Sequence, residues 1–176
     1  FEEVGILLAT KRTGEKLNLE DNEKSKFDSY RKKLVNNEIN LLDICLKEDL
    51  LLSTANIAPL SHWITPNIES RRFDTRFFIA YLPEKQIVEH DGLELTQSLW
   101  INPNKAVEMA FKGEMQMIMP TIKNLQSCSE FEVAKDMLDS QKRLTNKDIP
   151  PILPKFFKEN GNWVGLLPGD DGYEDH

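Results

Sequence analysis

Two adjacent carboxylates, Glu2 and Glu3, stand at the start of the chain and are followed by Val4, Gly5 and Ile6. Hard divalent cations such as magnesium take several oxygen ligands at a negatively charged site, and carboxylates are the donors they use. Neighbouring side chains on a helix diverge by about 100°, so both carboxylates can reach one ion only near the helix edge. Taken alone, the pair reads as a solvated helix face. The segments downstream reverse that reading.

Arg71, Arg72 and Arg76 cluster around the start of an apolar run. Guanidinium groups bind phosphate oxygens in a bidentate way, so these three are candidates for substrate binding, with one of them pairing instead with Asp74 or an acidic residue of the site. His62 beside Trp63 could stack on a nucleotide base, against the plainer reading of a hydrogen-bonded structural histidine in a strand. His90 lies in Glu89-His90-Asp91-Gly92, where turn chemistry explains a polar residue without any acid or base role. Met109, Met115, Met117 and Met119 read as core filling, since methionine adapts to irregular gaps. His176 with Asp170, Asp171, Glu174 and Asp175 reads as a solvated terminus, and no nucleophilic Ser, His and Asp arrangement has local support.

The elements that must position these residues follow from the pattern of apolar spacing. Phe1 to Ala9 reads as a helix end running into a strand or turn, and Thr10 to Lys16 as a loop. Phe27, Tyr30 and Leu34, then Ile39, Leu42 and Cys45 or Leu46, recur at helical spacing and predict two short packed helices. Ile57 to Thr65 and Phe73 to Leu82 read as strands, and the unbroken run Phe77 to Leu82 predicts a central strand covered on both faces. Asp91-Gly92 is a turn signal, Glu94 to Ile101 a further strand, and Asn102-Pro103 the start of a helix. Thr121 to Gln126 is a helix, Ser129 and Glu132 have capping-box spacing ahead of another, and Asn160-Gly161 predicts a hairpin.

Of 176 residues, 40% are hydrophobic and 29% charged, which suits a packed globular protein rather than a disordered one. The net charge of -7 opposes non-specific binding to nucleic acid, which depends on basic residues. A small phosphate compound stays open, because local arginines or an ion can overcome the overall charge. The two cysteines, Cys45 and Cys128, are not in metal-type spacing and read as buried thiols in a reducing compartment. No apolar run has the roughly 20 residues that a membrane helix needs. A cytoplasmic location is expected, or an organellar lumen in a eukaryote.

Phe1-Glu2-Glu3-Val4-Gly5-Ile6 resembles the last third of the Nudix box, which ends in Arg-Glu, two variable residues, Glu-Glu, any residue, Gly and an apolar residue. Trp63-Ile64-Thr65-Pro66, Arg71 to Phe78, His90-Asp91-Gly92-Leu93-Glu94, Trp100-Ile101-Asn102-Pro103 and Leu167-Pro168-Gly169-Asp170 follow in order. Together these look like the Nudix subgroup of peroxisomal acyl-coenzyme A diphosphatases and their bacterial relatives. The resemblance implies one α/β domain over 1–176, a Nudix-type α/β/α sandwich with a mixed sheet. It also implies a helical insertion at about 20–52, after the Nudix helix, with helices and a hairpin at about 120–168 near the C-terminal end.

The resemblance further implies a metal-dependent hydrolase that cleaves the diphosphate linkage of a nucleoside diphosphate derivative. Coenzyme A or acyl-coenzyme A is the implied substrate, with ADP-ribose and nucleotide sugars as alternatives. Glu2 and Glu3 become ligands of Mg2+ or Mn2+, with Glu3 also catalytic. Glu94, after a glycine turn, becomes a further ligand or general base. Arg71, Arg72, Arg76 and Trp63 become substrate-binding residues. The expected partner is this small molecule, with no nucleic acid and no membrane, and homodimerisation is left open. The chain opens in mid-helix without an N-cap, so the expectation is an upstream segment that carries the rest of the box and at least one more metal-binding glutamate. A Nudix-fold module that binds a nucleotide or a protein without hydrolysis is the alternative from a different class.

Overall fold

The computed structural model describes residues 1–19 and 21–175. Glu20, where the insertion is expected to begin, and His176 lie outside the described residues. The chain folds as two compact units, Phe1–Ile57 with Ala80–Trp100, and Ala58–Ile79 with Ile101–His176.

In the first unit, β1 (Ala9–Lys11) pairs antiparallel with β2 (Leu50–Leu52), Ala9 opposite Leu52. Between them lie α1 (Asp21–Val35) and α2 (Leu41–Lys47), the two helices expected there, although α1 is four turns long rather than short. Helix α1 buries Phe27 and Tyr30 on one face and carries ion pairs Lys24–Asp28 and Lys26–Glu23 at helical spacing on its surface. Lys32 and Lys33 in its last turn oppose the negative end of the helix dipole, and Asn37, at φ 57°, turns the chain out of the helix. Helix α2 starts with a reciprocal cap: Asn40 Oδ1 accepts from Asp43 N, and Asp43 Oδ2 accepts from Asn40 N, both at 2.9 Å.

These elements close around one core of Leu7, Ala9, Leu17, Phe27, Tyr30, Ile44, Cys45 and Leu50, with Phe1 packed against it. Phe27 meets Phe1 and Tyr30 edge to face, at centroid distances of 6.4 and 5.7 Å. Burying each large side chain stabilises the unit by roughly 1.5–3 kcal/mol. The turn that carries Glu2 and Glu3 is thereby anchored through Phe1 to the inserted helix.

In the second unit, β3 (Ile57–Ile64) lies between β4 (Asp74–Ala80) and β5 (Pro151–Ile152). Strand β5 runs parallel to it, with Trp63 opposite Ile152. Helices α3 (Pro103–Phe111), α4 (Met119–Ser129) and α5 (Ala134–Gln141) follow, and Ala106, Val107, Met137 and Leu138 are buried. Asn102 caps α3 by accepting from Asn104 N at 2.9 Å, with Pro103 in the first turn as expected. Strands β6 (Lys155–Glu159) and β7 (Asn162–Leu166) form the anticipated hairpin, and Asn160 and Gly161 take φ 50° and 85°. Both central positions of a type I′ turn need positive φ, which is why Asn-Gly suits it.

Three expectations are corrected. The run Phe77 to Leu82 is not a covered central strand: among the described residues β4 pairs on one side only, Phe78 is 58% exposed, and β3 holds the middle. Glu94 to Ile101 is not a strand, because the chain there turns around the Asp91 side chain instead of pairing with a neighbour. The Ser129 capping box does not form. Ser129 Oγ donates back to Leu125 O at 2.8 Å within the last turn of α4, and α5, with Val133 at its N-cap, has no side-chain cap.

Met109, Met115, Met117 and Met119 are half-buried, while Met137 is fully buried. Cys45 is buried and Cys128 half-buried, and burial pushes both thiols up from their ordinary values. Among the described residues, no helix is long and apolar enough to cross a membrane.

Candidate functional site

The acidic pair sits in a hydrogen-bonded turn, residues 2–4, that closes on Gly5. Gly5 N donates to Phe1 O at 2.9 Å and Gly5 takes φ +73°, the single i to i−4 bond with a left-handed residue that commonly terminates helices. The four carbonyls from Phe1 to Val4 all have partners. Phe1 O takes Gly5 N. Glu2 O takes Arg31 Nε at 2.8 Å, Glu3 O takes Arg31 Nη2 at 2.9 Å, and Val4 O takes Glu89 N at 3.1 Å. Arg31 Nη2 also donates to Glu89 O at 2.8 Å.

The backbone of the pair is therefore held from two sides, by the inserted helix α1 and by the segment that leads to Glu94. The side chains of Glu2 and Glu3 are left exposed. Buried Gln86 ties the following residues down: Leu7 N donates to its Oε1 at 2.8 Å, and its Nε2 donates to Leu7 O at 3.0 Å.

Glu94 is exposed on the loop organised by Asp91. The Asp91 carboxylate accepts from Leu95 N at 3.0 Å, Leu93 N at 3.1 Å and Glu94 N at 3.3 Å. These amide bonds, Leu95 first, hold the Asp91 carboxyl below its ordinary value. Gly92 takes φ 76°, so the Asp-Gly turn forms as its sequence suggests. His90 Nδ1 is buried without a hydrogen-bond partner among the described residues. A cleft of about 520 Å³ beside this loop is lined by Asp28, Arg31, Lys32, Glu89, His90 and Asp91 among others.

The proposed substrate-binding residues lie in the second unit. Arg71 is exposed and stacks its guanidinium 4.9 Å from the Phe73 ring centroid. Arg72 Nε donates to Thr65 O at 2.9 Å. Arg76 is the arginine that pairs with Asp74, at 3.2 Å. Trp63 is only 4% exposed, and its indole N–H donates to Ser61 Oγ at 3.1 Å, so its ring packs in the interior. His62 is the structural histidine expected, with Nε2 2.6 Å from Asp74 Oδ1.

Glu2 and Glu3 fit the donor type a magnesium or manganese ion takes, two exposed carboxylates on a main chain held in place. Among the described residues, no group of three or more His, Cys, Asp or Glu gathers to hold a metal ion. Sequence reasoning missed Arg31, Gln86 and Glu89. Their bonds to the Glu2–Leu7 segment span 28 to 85 positions, a separation that leaves no local signal.

The fold has a solved counterpart. It is shared with a solved NUDIX hydrolase from Alicyclobacillus acidocaldarius, with a TM-score of 0.66 and 21% identity, over 78% of this chain and 60% of that one. The chain belongs to the Nudix family, matching the NUDT19 Nudix domain over residues 1–127. Among curated relatives, the acyl-coenzyme A diphosphatase NUDT19 of Xenopus laevis is 28% identical over 189 residues. The acyl-coenzyme A diphosphatase NUDT19 of Homo sapiens is 28% identical over 182 residues. Each match takes in 98% of this chain and 48% of the relative, so the chain spans about half the length of the curated relatives it matches.

Proposed function

We propose that this chain carries part of the active site of a divalent-metal-dependent Nudix hydrolase that cleaves the diphosphate linkage of a nucleoside diphosphate derivative, with coenzyme A or an acyl-coenzyme A as substrate. The observation that carries the reading is the Glu2-Glu3 turn, whose four carbonyls from Phe1 to Val4 are all satisfied while both carboxylates face solvent. The names of the two curated relatives support the substrate class.

Glu2 and Glu3 would hold magnesium or manganese together with further donors. When bound, such an ion screens the diphosphate charge and makes water more acidic. Glu94 takes the proton of the attacking water, a role open to an exposed carboxylate on an ordered loop. Arg71 and Arg72, in the second unit, keep guanidinium nitrogens beyond their contacts with Phe73 and Thr65, the donor type that phosphate oxygens take. Arg76 is tied to Asp74 and contributes less, and Trp63 supports the strand from inside.

The test is to incubate the intact protein with Mg2+ or Mn2+ and a panel of coenzyme A, acyl-coenzyme A, ADP-ribose and nucleotide sugars, beside Glu3→Gln. Turnover of a coenzyme A compound, lost in Glu3→Gln, is the expected result. Equal turnover by the variant would sink the role of Glu3. Tight binding of a nucleotide with no turnover of any compound would identify a non-catalytic module.

A further inference from the structure

We propose that Arg31, on the inserted helix α1, is a positioning residue for the Glu2-Glu3 pair, and that the insertion is thereby part of the site. The inference rests on the reading of Glu2 and Glu3 as metal ligands given above.

Three hydrogen bonds from one guanidinium carry it. Arg31 Nε reaches Glu2 O, and Nη2 reaches both Glu3 O and Glu89 O, all within 2.8–2.9 Å. The planar guanidinium presents its donors in a fixed fork, so these bonds set the relative placement of two chain segments as well as adding attraction. Without Arg31, Glu2 O and Glu3 O lose these partners, and among the described residues the turn keeps Gly5 N, Glu89 N and the packing of Phe1.

The neighbourhood is shaped around this arginine. A Cβ on Gly5 would lie 3.2 Å from Arg31 Nη1, 3.6 Å from Arg31 Cζ and 3.6 Å from Glu89 O. Gly5 therefore has two independent requirements, a positive φ and room for the guanidinium. Glu89 is bound on both sides, its N–H to Val4 O and its C=O to Arg31. Five residues further on lies Glu94, so the same clamp registers the acidic turn against the loop that bears the proposed base. Lysine, a point charge without the fork, cannot reproduce three bonds in these directions.

The experiment compares intact wild-type protein with Arg31→Ala, Arg31→Lys and Glu3→Gln. Amide hydrogen exchange is read at Gly5 and Glu89, and Mn2+ binding is read by calorimetry. In Arg31→Ala, exchange at both amides should accelerate and Mn2+ affinity should fall by about 10-fold or more, the range for partners that orient a ligand. Arg31→Lys should recover little of either. Unchanged exchange in Arg31→Ala overturns the proposal. So does faster exchange with wild-type Mn2+ affinity, since Arg31 would then serve the fold alone. If Glu3→Gln also binds Mn2+ as wild type does, the metal-ligand reading itself fails, and the positioning role falls with it.

Discussion

Gln86 and Leu7 are joined by two hydrogen bonds in opposite directions, amide N to Oε1 at 2.8 Å and Nε2 to carbonyl O at 3.0 Å. The side chain thus does for Leu7 what a neighbouring strand would do, inside a core where Gln86 is 6% exposed and Leu7 2%. Gln86→Leu keeps the bulk but strands a buried N–H and a buried C=O. Each such group costs roughly 1–3 kcal/mol, so urea unfolding should show a loss of about 2 kcal/mol or more. A midpoint equal to wild type would show that Leu7 finds other partners.

Gly5→Ala should destabilise the acidic turn. A Cβ at φ +73° costs roughly 1–2 kcal/mol, and the close approach to Arg31 adds to it. Thermal unfolding of the variant should begin at lower temperature, together with faster amide exchange at Glu89. Wild-type stability would mean that the turn can be rebuilt without the left-handed residue.

Glu48 predicts an acid-sensitive first unit. Its carboxylate accepts from Lys26 Nζ at 2.6 Å and Tyr30 Oη at 2.7 Å. Burial pushes the carboxyl up, the bonds from Lys26 and Tyr30 outweigh this, and the carboxyl ends below its ordinary value. A lowered folded-state pKa contributes stability above the unfolded value of about 4.3, lost as the pH falls through the folded value. Unfolding free energy measured from pH 7 down to pH 3 should fall for wild type, and fall less for Glu48→Gln. At pH 7 that variant should lose about 1.5 kcal/mol, the lower end for a bond to a charged group, since Lys26 is partly exposed. Parallel curves for the two proteins would rule this residue out as the source.

Asp91→Ala should lower kcat more than it raises KM. It removes the acceptor for the amides of Leu93, Glu94 and Leu95, and so loosens the loop on which Glu94 sits. Glu94→Gln keeps the loop and removes the base, which should cost about 10²-fold or more in kcat. Steady-state kinetics on a coenzyme A compound separates the two, and full activity in Glu94→Gln would dismiss that residue as the base.

Much of the framework is legible along the chain because its signals are local. Asn160-Gly161 forms the hairpin turn, Asn102-Pro103 opens α3, and the spacing of Phe27 and Tyr30 finds the buried face of α1. Misreadings arise where a side chain competes with a backbone pattern. Ser129 bonds backward to Leu125 instead of capping forward, and Asp91 gathers three amides and bends away a segment that reads as a strand. The apolar run Phe77 to Leu82 misleads because hydrophobicity does not say how many strands flank it.

The amino-acid sequence by itself determined the family resemblance, the acidic pair at Glu2 and Glu3, the candidate arginines and the presence of two inserted helices. Each is a matter of residue type and short spacing. Only the tertiary structure decided how the pair is held, that Trp63 faces the interior and that Arg76 belongs to Asp74. The clamp of Arg31 joins residues 29 and 58 positions away. Such bonds exist only after packing has brought distant carbonyls within reach of one guanidinium, and no periodicity along the chain encodes that meeting.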